Sequence, residues 1–139
     1  MVIIDTGPIV SLFDESEPYH NACKNTLKEI KSSLITSWAV LTESFYLLDD
    51  WQKGRNELWN FIIAGGVKIH DITPSYYVRM KELMKKYSDN PMDLADATLI
   101  VTAEAYKIKT IFTLDRKDFS TYRPAHCTHF EIIPFKTNT

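Results

Sequence analysis

Short β-rich apolar runs alternate with longer amphipathic stretches along this chain, and that alternation admits few folds. The short runs are Val2-Ile3-Ile4, Leu34-Ile35-Thr36, Val67 to Ile72, Thr110 to Leu114 and Glu131-Ile132-Ile133. Between them, residues 18–31, 37–50, 53–64, a stretch opened by Pro74, and 90–107 read as helices. Ser37 is placed to cap one helix, and Gly65-Gly66 to end the next. Asn90-Pro91 is a helix-start signal, with Asn as cap and Pro at the first helical position. Strands alternating with helices imply an α/β fold: a mostly parallel sheet of four to five strands with helices on both faces. No repeat or linker divides residues 1–139, so one domain is expected.

Composition excludes several classes. The apolar content of 45% is too high for a disordered tail, and no apolar run is long enough to span a membrane. The start Met-Val-Ile-Ile-Asp lacks the basic opening of a secretory signal. The two cysteines, Cys23 and Cys127, form no disulfide framework, so a reducing, cytoplasmic setting is the default expectation. His126, Cys127 and His129 fit no usual zinc spacing and read as an exposed loop. A net charge of −2 argues against nucleic-acid binding through bulk charge, and leaves room for an acidic site that needs a cation.

In an open parallel sheet, ligands bind beyond the carboxyl ends of the strands, where the strand order reverses. Asp5 follows the first strand and Asp115 the fourth, so both face one crevice if those strands are neighbours. Glu43 lies within the apolar stretch Val-Leu-Thr-Glu-Ser-Phe-Tyr-Leu-Leu. Asp93 and Asp96, three apart, share a helix face. Each acid also has an ordinary reading. Asp5 and Asp115 can cap or close turns, and Asp93 can favour a helix dipole. Asp96, among Leu94, Ala95, Ala97 and Leu99, needs a partner, either a basic residue or a metal. Glu43 has the same two readings. Together, such acids repel one another unless a cation neutralises them, and an all-oxygen set suits Mg²⁺ or Mn²⁺.

Four motifs, in order, carry a family resemblance: Ile4-Asp5-Thr6-Gly7-Pro8; Leu-Thr-Glu-Ser-Phe-Tyr-Leu-Leu around Glu43; Pro91-Met92-Asp93-Leu94-Ala95-Asp96-Ala97; and Phe112-Thr113-Leu114-Asp115-Arg116-Lys117-Asp118-Phe119. They resemble the PIN-domain ribonucleases, and among these the VapC-type toxins of toxin–antitoxin pairs. The resemblance implies a three-layer αβα sandwich whose acidic rim binds Mg²⁺ or Mn²⁺ and hydrolyses RNA. Asp5, Glu43, Asp96 and Asp115 match the acidic quartet, and Asp93 an accessory acid. Thr6 and Thr113 match supporting hydroxyl residues. As a mechanistic expectation, Asp5, Asp96 and Asp115 hold the metal while Glu43 handles the attacking water. Arg116 and Lys117 read as RNA-backbone contacts or as solvated loop charges. The basic helix from Arg79 to Lys86 reads chiefly as a solvated face.

The resemblance also implies an antitoxin protein as partner, docking a helix or extended segment in an apolar groove, and a homodimer. Trp38, Phe45, Tyr46, Trp51, Trp59 and Phe61 lie in the two helices 37–50 and 53–64. Most are expected in the core, with Trp51, beside Asp49 and Asp50, the most exposed. Two other functional classes are weighed. An RNA-processing nuclease without an antitoxin would use the same site. A noncatalytic phosphoacceptor or interaction domain fits less well, because Asp5 stands alone at its strand end and Gly7 replaces the second acid of an Asp-x-Asp pair.

Overall fold

A computed structural model describes residues 1–135. Its elements, in order, are β1 (Val2–Ile4), α1 (Thr6–Phe13), α2 (His20–Glu29), β2 (Leu34–Thr36), α3 (Trp38–Leu47), α4 (Gln52–Ile63), β3 (Val67–Ile69), a 3-10 turn (Pro74–Tyr76), α5 (Tyr77–Lys86), α6 (Leu94–Tyr106), β4 (Thr110–Phe112), α7 (Arg116–Thr121) and β5 (Glu131–Ile133). The five strands form one parallel sheet in the order β3-β2-β1-β4-β5. From β1 the chain steps outward through β2 to β3, and then returns to β1's other side for β4 and β5. Right-handed crossovers running in opposite directions place helices on both faces, so the α/β expectation holds. β1 and β4 are neighbours, with Ile3 opposite Ile111 and Ile4 opposite Phe112. The reversal of strand order therefore falls between the strands that end at Asp5 and Asp115.

Ile3, Ile4, Ile35, Ile111 and Phe112 are fully buried, as central parallel strands covered on both faces require. α6 is the most extensively buried helix, with Ala97, Leu99, Ile100, Val101 and Ala103 among its buried residues. Ser37 caps α3 as expected, accepting from the Val40 N–H, and its hydroxyl also meets Thr98 Oγ1 at 2.7 Å.

Several local expectations are corrected. α6 begins at Leu94, not after Asn90, and its cap is Asp93, whose carboxylate accepts the Asp96 N–H at 2.8 Å. Asn90 instead donates to Asp118 at 3.1 Å. A carboxylate is at least as good a cap as an amide, and starting at Leu94 leaves the Asn90-Pro91 step free to turn. β3 stops at Ile69, three residues short of its expected end, and β4 at Phe112, two residues short. The tryptophans are not core residues: Trp38, Trp59 and Trp51 are 48%, 45% and 38% exposed, which makes Trp51 the least exposed of the three. Aliphatic and small residues (Val40, Leu41, Ser44, Leu48 and Leu58) already fill the inner faces of α3 and α4. The tryptophans and Tyr46 face outward, whereas Phe45 and Phe61 are partly buried against the core as expected, with Phe45 packing on Trp59 at 4.9 Å. His126 is half-buried rather than solvated, its ring Nε2 donating to the Ile108 carbonyl at 2.7 Å and pinning the loop before β5.

Lys81, Lys85 and Lys86 do form a solvated face on α5. Arg79 differs, since it grips Glu104 of α6 through two hydrogen bonds of 3.0 and 2.8 Å. Glu104 also accepts the Ala125 N–H at 2.7 Å. Burial alone would raise the Glu104 carboxyl, but these donors hold it below its ordinary value. Glu104→Ala is expected to lower stability by about 2–3 kcal/mol, because it leaves one N–H and one guanidinium without their acceptor. The midpoint of urea unfolding checks this; a loss under about 0.5 kcal/mol would show a pair that water replaces without cost.

Candidate active site

Where the β1 and β4 chains leave the sheet, the backbone must satisfy new helix starts, and carboxylates do that work. Asp5 caps α1 and accepts the Thr6 N–H at 2.8 Å. Its second oxygen accepts the Thr113 hydroxyl at 2.8 Å. That hydroxyl in turn accepts the Asp115 N–H at 3.0 Å, so one buried threonine ties both strand ends together. Asp115 caps α7 by accepting the Asp118 N–H at 3.0 Å. Asp96 lies in the first turn of α6 and accepts the Tyr122 hydroxyl at 2.7 Å.

Asp5, Asp96 and Asp115 line one open pocket of about 490 Å³ together with Thr6, Glu43, Asp93 and Asp118, while Thr113 and Tyr122 hold them from behind it. All five acids singled out from the sequence meet there. Arg116 and Lys117 do not line it. The Arg116 guanidinium donates to the Pro134 carbonyl, and Lys117 is exposed on α7. Thr6 contributes its backbone N–H to Asp5, while its own buried hydroxyl has no partner among the described residues. Two contributors escaped the sequence reading. Asp118, close to Asp115 in the sequence, reads there as one more turn-closing acid. Tyr122 had no reading, although a tyrosine three residues after Phe119 shares its helix face, and a buried tyrosine hydroxyl usually finds an acceptor.

The electrostatics are those of crowded carboxylates. Burial pushes the Asp5 carboxyl up to about 6, against the lowering by Thr113 and Thr6, and the charges of Glu43 and Asp115 add to the rise. Burial likewise pushes Asp96 up to about 8, opposed by Tyr122 and reinforced by Asp5, Asp93 and Asp115. Asp115 is raised too, mainly by burial. A cation among them would reverse each of these shifts.

The cage expected from Asp5, Asp96 and Asp115 is not drawn tight. Among the described residues, no three His, Cys, Asp or Glu side chains converge closely enough to hold a metal ion as they stand. Each of the three is held by its own hydrogen bond and repelled by the others. The donor chemistry nonetheless fits a hard divalent ion: every candidate donor is oxygen, and Mg²⁺ keeps several waters while taking only one or two carboxylates directly.

Residues 2–123 match the PIN domain family. The chain belongs to that family. This PIN domain is 30% identical to Ribonuclease VapC26 of Mycobacterium tuberculosis over 135 residues, which cover 96% of this chain and 100% of that protein. Its fold is shared with solved structures of lower identity. The crystal structure of Mycobacterium tuberculosis VapC20, described as a sarcin-ricin loop cleaving toxin, has a TM-score of 0.74 at 18% identity, covering 84% of this chain and 92% of that one. A toxin–antitoxin complex from Klebsiella pneumoniae has a TM-score of 0.70 at 17% identity, covering 94% and 100%. VapBC2 from Rickettsia felis, bound to a DNA fragment from its promoter, has a TM-score of 0.64 at 18% identity, covering 95% and 98%.

The hydroxyl linking Asp5 to Asp115 has a testable consequence for this PIN domain. Thr113→Val keeps the shape but orphans the Asp115 N–H and frees Asp5. The expected loss is about 1–2 kcal/mol of stability and roughly tenfold in activity, read by thermal unfolding and by the cleavage assay below. Unchanged values in both would remove Thr113 from the site's support.

Proposed function

We propose that this chain is a metal-dependent ribonuclease and the toxin of a toxin–antitoxin pair. The observation that carries the reading is the convergence of Asp5, Glu43, Asp93, Asp96 and Asp115 on one pocket at the switch in strand order. When bound, Mg²⁺ or Mn²⁺ would supply an activated water and a clamp on the phosphate oxygens. Asp5 and Asp96 would hold it, with Asp115 helping directly or through water. Thr113 and Tyr122 fix the rotamers of Asp5 and Asp96 and leave each carboxylate free lone pairs. Glu43, exposed on α3, is free to accept a proton from the attacking water. The first turns of α1 and α6 face the same pocket, and their dipoles favour a phosphate there.

The reading is tested by incubating the purified protein with total RNA, with Mg²⁺, with Mn²⁺ and with chelator. Discrete new RNA ends that appear only with metal are expected, and sequencing them names the substrate. Metal-independent cleavage, or none under any condition, overturns it.

A groove along α1, α2 and α4, lined by Leu12, Phe13, Leu27, Trp51 and Phe61, is the place we assign to the antitoxin. Its walls are apolar, and its rim carries both signs of charge, with Lys24 and Lys53 beside Glu15 and Glu57, which suits an amphipathic segment. Co-purification with the product of a small neighbouring reading frame, lost in Phe61→Glu, is expected. An RNA-processing role without antitoxin would show no such partner.

A further inference from the structure

Asn90-Pro91 reads as a helix start in the sequence, yet Asn90 caps no helix in the structure. It sits half-buried in the strap of residues 88–93 that joins α5 to α6, and its amide Nδ2 donates to Asp118 Oδ1 at 3.1 Å. Just beyond Asn90 the strap reaches the acidic pocket, which Pro91 and Asp93 line together with Asp118.

This hydrogen bond is not what holds the strap. Tyr87 and Met92, on either side of Asn90, are both buried, and the Tyr87 hydroxyl accepts the Arg123 N–H at 2.9 Å. The Asp118 carboxylate has no such anchors. Its backbone N–H is fixed on Asp115 at 3.0 Å. Among the described residues, Asn90 is the one side-chain donor to that carboxylate, and no lysine or arginine pairs with Asp93, Asp115 or Asp118. Like charge crowds it, since Asp118 and Asp93 both raise the Asp115 carboxyl. Released, the Asp118 side chain would turn from Asp115 toward solvent. A neutral amide suits this place. A lysine or arginine would hold Asp118 as well, but its charge would cancel part of the negative field that draws a divalent ion.

Resting on the metal-dependent reading, we infer that Asn90 is a positioning residue: its amide holds the Asp118 carboxylate at the rim of the acidic pocket, as an acceptor for the waters of the divalent ion held by Asp5, Asp96 and Asp115. A hard ion that keeps several waters needs acceptors one layer beyond its ligands. Asn90 touches neither metal nor RNA and acts through Asp118.

The test titrates the purified protein with Mn²⁺ and reads the free ion by electron paramagnetic resonance. Asn90→Ala is expected to weaken Mn²⁺ binding roughly tenfold, and Asp118→Asn by at least as much. The double variant should bind as Asp118→Asn does, because a removed carboxylate leaves Asn90 nothing to position. A turn-forming role alone would instead lower stability in urea equally in both backgrounds and leave Mn²⁺ affinity unmoved. Wild-type affinity in Asn90→Ala or in Asp118→Asn overturns the inference, and so does a further loss of roughly tenfold in the double variant. If the wild type takes up no Mn²⁺, the inference and the metal-dependent reading fall together. If the Mn²⁺ pattern holds but no RNA is cleaved, the ribonuclease reading fails while the role of Asn90 stands.

Discussion

Asp96→Asn is expected to abolish metal-dependent RNA cleavage, by at least about a hundredfold, and to leave the protein folded. The amide keeps the side chain's shape and can still accept the Tyr122 hydroxyl, but it cannot hold a divalent ion in the same way. Stability moves in the opposite direction to activity. In the metal-free protein the Asp96 carboxyl sits at about 8 against an ordinary 3.8. A group raised on folding contributes most below its unfolded value, and that contribution is lost as pH rises through the folded one. The metal-free wild type should therefore lose thermal stability between about pH 5 and about pH 8, and regain it on adding Mg²⁺. Asp96→Asn should show much less of either effect. Retained cleavage by a purified Asp96→Asn protein, free of host nuclease, would take the metal away from Asp96. A flat pH dependence in the wild type would mean that the crowding is relieved without a cation.

Tyr122→Phe is expected to lower kcat/KM by roughly ten- to a hundredfold, the usual result of removing a hydrogen bond that orients a metal-holding group. The ring itself should stay in place. Tyr122 is fully buried, with Tyr87 and Phe119 packed edge-on at 5.1 and 5.2 Å. What changes is Asp96: it loses the donor that favours its charged form, so its carboxyl rises further. The pH–rate profile should shift its rising limb to higher pH, a displacement that a purely structural defect would not produce. Full activity with an unmoved profile would reduce Tyr122 to a packing residue.

The sequence carried the topology well, because parallel strands buried on both faces read as short apolar runs, and because Asp5 and Asp115 fall where such runs end. Helix boundaries were less legible. Asn90-Pro91 and Asp93 are both sound starts, and only the Asp93–Asp96 hydrogen bond decides between them. The tryptophans misled because ring size suggests core, whereas the inner faces of α3 and α4 were already filled by aliphatic residues. Tyr122 was hidden because its contact with Asp96 spans 26 residues and joins the end of α7 to the first turn of α6. How far the acids stand apart is likewise a tertiary property, set by which hydrogen bond each of them makes.

Three of the pocket's carboxylates are also helix caps: Asp5 for α1, Asp93 for α6 and Asp115 for α7. Losing a cap costs about 1 kcal/mol, so lineage drift toward an inert descendant is not neutral at these positions. Glu43 and Asp96 cap nothing. Silent relatives of this chain should therefore have shed Glu43 or Asp96 first and kept the other three, as fossils of a chemistry that their folding still requires.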